Sequence, residues 1–153
     1  MAKVIIVYSS RHHGNTRKLV EAISEKYEIH TVDADAQQFY DLSEYELIGF
    51  ASGIDFGKFY PAVVRFLERN LPHNKKVFFI YTCARDSQSF TESIAHAALE
   101  KNAEILGVFG SKGYNTYGPL KLIGGMNKGH PDDRELQEAL QFYEELLIKT
   151  DLL

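Results

Sequence analysis

The stretch KVIIVYSSRHHGNT, residues 3–16, decides the fold that this sequence predicts. Its opening run is continuously apolar after the lysine and rich in Val and Ile, which is typical of a strand covered on both faces. Hydroxyl groups, cations and one glycine follow directly, and an amphipathic pattern, RKLVEAISEKY, then begins. The stretch therefore predicts a buried strand, a polar turn and a helix.

Apolar runs of strand length recur along the rest of the chain, at residues 28–32, 47–52, 76–82 and 104–110. Helical periods separate most of them, and in the weaker connection at residues 33–46 we expect one short helix. Alternating strands and helices favour a parallel sheet with helices on both faces. The predicted fold class is α/β, with a three-layer, doubly wound, five-stranded parallel sheet of order 2-1-3-4-5. We expect a single domain over residues 1–153.

Composition excludes several classes of protein. The net charge of -4, with both signs interspersed, leaves no basic surface for nucleic acid or an anionic membrane. No apolar run reaches the roughly 18 residues of a membrane span, and no signal peptide is recognisable. The single cysteine, Cys83, excludes an internal disulfide and a CxxC zinc site. We expect a cytoplasmic protein that is a monomer or a weak dimer.

The polar turn after the first strand has the properties of an anion site. Open parallel sheets bind ligands beyond the carboxyl ends of their strands, at the switch point between strands 1 and 3. Gly14, Asn15 and Thr16 begin the predicted helix, so their N–H groups lack intrahelical acceptors. Together with the hydroxyls of Ser9 and Ser10, they predict a phosphate site. An ordinary helix cap made by Asn15 or Ser10 is the alternative.

Other phosphate-binding and catalytic motifs are missing from the sequence. It contains neither GxxxxGK[ST], nor GxGxxG, nor Gly-x-Ser-x-Gly. A phosphorylated receiver domain shares the sheet order, but it needs acidic residues after strand 1 and an Asp at the end of strand 3. Residues 9–11 and Ser52–Gly53 occupy those places here, so that class is excluded.

Two segments resemble the flavodoxin family. VYSSRHHGNT, residues 7–16, resembles the loop that binds the phosphate of flavin mononucleotide (FMN), and residues 41–59 resemble the third strand and the flavin-contacting loop. Within the latter, GIDFGKF is similar to the I-x-Tyr/Phe-G motif of the flavodoxin-like protoporphyrinogen oxidases. One extra residue between Ser10 and Gly14 leaves open which of Arg11, His12 and His13 faces the phosphate.

The resemblance, which covers nearly the whole chain, implies a flavin ring between the loops after the third and fourth strands. Phe56 or Phe59 then either stacks on the ring or packs in the core. Tyr114 or Tyr117, from the glycine-rich residues 111–131, is expected to cover the outer face. The cofactor-binding residues so predicted are Ser9, Ser10, Arg11, His12, His13, Gly14, Asn15, Thr16, Ser52, Gly53, Ile54, Asp55, Phe56, Gly57, Thr82, Cys83, Ala84, Arg85, Asp86, Ser87 and Tyr117.

Several reactive side chains have structural interpretations. Five of the histidines show no ligand spacing with carboxylates or cysteine, so we expect no metal; they are His12, His13, His73, His96 and His130. Cys83 closes a buried strand and is interpreted as packing, while Arg85 and Asp86 form either a solvated pair or a contact to the flavin pyrimidine edge. No catalytic residue is assigned.

Three functions remain open. The leading one is an FMN-binding electron carrier that serves redox partner proteins. FMN is favoured over a dinucleotide because the sequence has no second phosphate-binding motif. The alternatives are a small FMN-dependent oxidoreductase acting on a quinone, a porphyrinogen or NAD(P)H, and a non-redox binding module that has lost the flavin.

Overall fold

The computed structural model describes residues 3–11, 14–84, 87–113 and 127–152. A short 3₁₀-helix (Gln88–Thr91) precedes the third α-helix. In chain order the elements are β1 (Val4–Ser9), α1 (Asn15–Tyr27), β2 (His30–Asp33), β3 (Leu47–Asp55), β4 (Lys58–Phe59), α2 (Pro61–Asn70), β5 (Lys76–Cys83), α3 (Glu92–Glu100), β6 (Glu104–Lys112) and α4 (Asp133–Lys149). Within the described ranges, no helix has both the length and the apolar character needed to cross a membrane.

The sheet has the predicted topology. Its strands lie in the order β2-β1-β3-β5-β6, and each neighbouring pair is parallel. Counted as the five parallel strands, this is the order 2-1-3-4-5, so the predicted fold class is confirmed. The two-residue strand β4 was not predicted; it pairs antiparallel with the end of β3 and forms a small hairpin beyond the sheet.

Helices cover both faces of the sheet and create two separate cores. Ile5 and Val7 of β1 belong to the core on the side of α2 and α3. Val4 and Ile6, which alternate with them, belong to the core shared with α1 and α4. Strands buried on both sides need apolar residues at every position, and this requirement explains the continuous apolar runs.

The short helix expected at residues 33–46 does not form, and that expectation is wrong. The connection consists of turns and bends throughout. The Asp33 side chain accepts a hydrogen bond from the N–H of Asp35, and the Asp41 side chain accepts one from the N–H of Ser43. Aspartate side chains that bind the backbone two residues ahead stabilise turns in competition with a helix.

Candidate functional site

The carboxyl ends of β1, β3 and β5 bring the predicted site residues to one edge of the sheet. The strand register places Ser9 beside Ser52 and Gly53 beside Thr82. The loops that leave these three strands therefore emerge next to one another, at the edge where open parallel sheets hold their ligands.

The first turn of α1 presents backbone donors with no opposing charge. Gly14 precedes the helix in the left-handed conformation, with φ of 65°, and supplies no side-chain cap. No acidic residue lies in the first turn, where its charge would offset the positive end of the helix dipole. A Cβ placed on Gly14 would meet no atom of the described residues within 4 Å, so a side chain at this position has room among them.

Two hydroxyl groups at this helix start keep a proton to donate. The Ser10 Oγ accepts a hydrogen bond of 3.1 Å from the N–H of Arg17, so Ser10 caps the helix as the alternative interpretation expected, and its own O–H remains a donor. The Thr16 and Thr82 hydroxyls lie 2.8 Å apart in a buried pair that joins α1 to β5. One threonine must donate to the other, so the pair retains one further O–H.

Ser9 and Arg11, which were predicted to bind the cofactor, both bond to a carboxylate that the sequence did not reveal. The buried Ser9 hydroxyl donates to Asp35, and the Arg11 guanidinium donates to the same carboxylate at 3.0 Å. Burial opposes ionisation of Asp35, but these two hydrogen bonds outweigh it and hold the pKa of the carboxyl below its usual range. The Arg11 guanidinium also lies 5.0 Å from the centre of the Tyr60 ring. His12 and His13 lie outside the described residues.

Contacts with Tyr60 account for the residue types at two predicted site positions, Ser52 and Gly53. A Cβ on Gly53 would lie 2.3 Å from the Tyr60 hydroxyl, so only glycine admits the tyrosine across the end of β3. The buried Ser52 Oγ accepts a 2.8 Å hydrogen bond from the N–H of Tyr60 at the start of α2. Both residues position the chain rather than offer donors to a ligand. Burial raises the pKa of Tyr60, which keeps its phenol neutral.

The hairpin at residues 55–58 exposes an aromatic side chain beside the site. Phe56 and Gly57 both have positive φ, of 51° and 74°, as a type I′ turn requires. Phe56 is 88% exposed. Phe59, by contrast, is buried and lies edge-on to the Phe79 and Tyr81 rings. It therefore packs in the core, which is one of the two roles that the sequence left open. Ile54 and Asp55 form the other half of the hairpin, opposite Phe59 and Lys58.

Phe56→Asn should stabilise the fold by about 1 kcal/mol, because asparagine tolerates the left-handed region that is costly for a bulky residue. Urea unfolding checks this value. Phe39→Asn is the matched control, since Phe39 is also exposed but has no positive φ. An equal gain in both variants would assign the effect to removal of an exposed aromatic side chain rather than to backbone strain.

The loop after β5 is tied to both ends of the glycine-rich segment. The N–H of Gly113 donates to the carbonyl of Cys83 at 3.0 Å, and the Asn127 side-chain amide donates to the carbonyl of Ala84 at 2.8 Å. Gly113 also lies against the Asn15 side chain, where a Cβ would come within 2.6 Å. Farther along, the Ser87 hydroxyl caps the 3₁₀-helix. Tyr114, Tyr117, Arg85 and Asp86 lie outside the described residues.

The partly buried Glu135 carboxylate joins the end of β6 to the start of α4. One oxygen accepts hydrogen bonds from the Ser111 hydroxyl and the Lys112 N–H. The other accepts from His130 Nδ1 and from the Asp132 N–H in a capping box.

His130 thus breaks the expectation that the histidines lack ligand spacing. Its ring nitrogen and the carboxylates of Asp132 and Glu135 lie within 4.8 Å of one another. The capping box causes this convergence, since it folds Glu135 back over the residues that precede the helix. Spacing along the sequence does not reveal this convergence, because it depends on the way the capping box folds Glu135 back.

Glu135→Gln should destabilise the protein near neutral pH and do so less in acid. Burial would raise the pKa of Glu135, but its hydrogen bonds outweigh burial and lower the pKa from 4.5 to about 2. A carboxyl with a depressed pKa contributes stability above its unfolded pKa, and this contribution is lost as pH falls toward the folded pKa. The stability difference between wild type and variant should therefore shrink between pH 4.5 and about 2.

Urea unfolding at a series of pH values measures this difference. Glu138→Gln is the control, because Glu138 is more exposed and pairs with Arg134 one turn along α4. A pH-independent difference for Glu135→Gln would contradict the assigned role of its charge.

A family match assigns the chain to a class of protein. The model of the flavodoxin domain matches residues 5–121, so this chain belongs to the flavodoxin domain family. An uncharacterized protein of Methanocaldococcus jannaschii is 37% identical over 150 residues, which cover 95% of this chain and 98% of that protein.

Solved structures agree with the family match at the level of the fold. The flavodoxin of Streptococcus pneumonia TIGR4 superposes with a TM-score of 0.68 at 16% identity, covering 97% of this chain and 99% of that one. A flavodoxin from the domain Archaea gives a TM-score of 0.61 at 17% identity, with the same coverage of both chains. A flavoprotein from Lactobacillus acidophilus NCFM, solved in complex with FMN, gives 0.57 at 16% identity over 72% of this chain and 93% of that chain.

Proposed function

We propose that this protein binds FMN non-covalently and transfers electrons through it. The observation that carries the proposal is the start of α1, where the hydroxyls of Ser10 and Thr16 meet a helix terminus that has no acidic residue in its first turn. The positive end of the helix dipole at such a terminus attracts a phosphate group. The Ser10 O–H and the remaining proton of the Thr16–Thr82 pair add donors of the kind that a phosphate group accepts.

FMN fits this donor set better than riboflavin or a dinucleotide does. Riboflavin has no phosphate for the helix start, and the sequence has no second phosphate-binding motif for FAD. The similar flavoprotein of Lactobacillus acidophilus was solved with FMN, which supports the same cofactor here. When bound, FMN would supply the redox chemistry, and the chain would hold its phosphate and surround its ring.

The ring would lie between the hairpin that carries Phe56 and the loop after β5. In this arrangement Phe56 is the exposed aromatic group on one side, and Tyr117 is proposed to cover the other. Residues 52–55 and 82–87 would lie along the ring edge, with Ala84 and Ser87 supplied by the loop after β5. The role of this chain is to orient the ring and to exclude water from one of its faces.

We infer that redox partner proteins exchange electrons with this flavin in the cytoplasm, with the protein acting as a monomer or a weak dimer. A second candidate is an FMN-dependent oxidoreductase acting on a quinone, a porphyrinogen or NAD(P)H. The exposed Phe56 in GIDFGKF favours it, because this side chain could contact a small substrate at the ring. Steady-state turnover of such a substrate by the FMN-loaded protein separates the enzyme from the carrier.

Titration of the flavin-free protein with FMN and with riboflavin, followed by visible absorbance, tests the proposal. Ser10→Ala should weaken FMN binding about tenfold, the value of one hydrogen bond to a charged group, and leave riboflavin binding unchanged. Ser24→Ala, in the middle of α1, is the matched control and should change neither affinity. Equal losses for both flavins would contradict the phosphate site. No FMN binding at saturating concentration would favour the non-redox binding module instead.

A further inference from the structure

A second polar cavity lies beside the candidate flavin site, between α2 and the segment that follows β2. Its volume is about 410 Å³. Arg11, Arg65 and Arg69 line it, and these are three of the six arginines in the chain. Asp35 and Gln38 contribute the remaining polar side chains of the lining. The cavity thus concentrates guanidinium groups on a chain whose net charge is -4.

The charges in this cavity are not balanced by the residues around them. Asp35 is its single carboxylate among the described lining residues, and it is already hydrogen-bonded to Ser9 and Arg11. Arg69 reaches only the neutral amide oxygen of Gln38, at 3.4 Å. Within the described part of the chain, Arg65 forms no ion pair or hydrogen bond. The lining carries three positive charges against one negative charge, an arrangement that an anion would stabilise.

Aromatic rings hold two of the three guanidinium groups. Arg11 lies over the Tyr60 ring, and Arg69 lies 5.6 Å from the centre of the Phe39 ring. Cation–π contacts of this kind fix flexible arginines in place before a ligand arrives. Phe39 itself is 71% exposed, so one face of an aromatic platform remains available next to Arg69.

We propose that this arginine cavity binds a nucleoside phosphate. The phosphate would be held by Arg65 and Arg69, because the planar guanidinium fork matches phosphate oxygens in pairs. The base would stack on the Phe39 ring beside Arg69. A volume of about 410 Å³ exceeds what inorganic phosphate alone needs and lies within the range of small-molecule sites.

The proposed site is separate from the phosphate site at the start of α1. None of its lining residues belongs to the first turn of α1, and Arg11 is the single described lining residue from the loop after β1. Binding there does not require FMN, so the two proposals stand or fail independently. A nucleotide held in this cavity would lie next to the candidate flavin site.

Isothermal titration calorimetry with 2′,5′-ADP, 5′-AMP and inorganic phosphate tests the proposal, on the protein with and without FMN. The double variant Arg65→Gln, Arg69→Gln should weaken 2′,5′-ADP binding at least about tenfold, since it removes two charged donors. The matched control, Arg134→Gln with Lys76→Gln, lowers the net charge equally but lies away from the cavity, and it should change the affinity less than about twofold. Phe39→Ala should weaken both nucleotides and leave inorganic phosphate unchanged.

Four outcomes would overturn the proposal. These are no binding of either nucleotide to wild type at millimolar concentration, equal losses in the two double variants, inorganic phosphate binding as tightly as the nucleotides, and displacement of 2′,5′-ADP by FMN. The last would place the probe in the flavin site. Binding of 2′,5′-ADP to a protein that takes up no FMN would support this proposal while contradicting the proposed function.

Discussion

Gly14→Asp should raise the FMN dissociation constant at least about 100-fold and leave riboflavin binding nearly unchanged. The added carboxylate would lie at the start of α1, within about 5 Å of a phosphate held there. Repulsion between one charge and a dianion at that distance, with an effective dielectric near 20, is roughly 6 kcal/mol. If solvent screening removes half of this energy, the remaining roughly 3 kcal/mol still raises the dissociation constant about 100-fold. Among the described residues the side chain has space, because a Cβ at this position meets none of their atoms within 4 Å.

Gly14→Asn isolates the charge in this experiment. Asparagine has the shape of aspartate, and both tolerate the left-handed conformation that Gly14 adopts. FMN affinity should therefore be much higher in the asparagine variant than in the aspartate variant, and urea unfolding should give similar stability for both. Similar FMN affinities in the two variants would move the phosphate away from this helix start.

Phe79→Ala should lower the free energy of unfolding by about 3–5 kcal/mol, the usual cost of deleting a buried phenylalanine. Phe79 is fully buried in the core between the sheet and α2 and α3. Its ring centre lies 6.4 Å from that of Phe50 and 6.0 Å from that of Phe59, so the cavity would open beneath the hairpin of the candidate site. Guanidinium chloride unfolding measures the loss.

Phe56→Ala is the control for this core deletion, since it removes the same side chain from an exposed position. Its effect on stability should stay within about 0.5 kcal/mol. If Phe56 contacts the flavin, this variant should weaken FMN and riboflavin alike, because the ring is common to both. A Phe79→Ala loss as small as that of Phe56→Ala would contradict the packing of this core.

The sheet was predictable because its signal is local and redundant. Each of β1, β3 and β5 is buried on both faces, so every residue of the run must be apolar and the pattern can be read within a few positions. The connection at residues 33–46 was not predictable in this way. There the outcome depends on whether Asp33 and Asp41 bind the backbone, a competition that apolar periodicity does not report.

In the candidate site, too, the position of a segment was predictable and the partners of its side chains were not. The position of the polar turn at the end of β1 follows from the strand order, and sequence reasoning placed it correctly. The partners of its hydroxyls cannot be predicted from the strand order alone. Ser9 bonds to Asp35, and Thr16 pairs with Thr82, which lies 66 positions farther along the chain. One available signal went unused: β2 neighbours β1, so a polar residue just after β2, such as Asp35, should reach the loop after β1.

Gly113 and Asn127 donate to the consecutive carbonyls of Cys83 and Ala84, so two residues 14 positions apart in the chain are held side by side at the end of β5. Residues inserted or removed between such closely spaced anchors need not shift either anchor, and lengthening a closed loop costs little entropy. Insertions between Gly113 and Asn127 are therefore expected to leave the parallel strands in place.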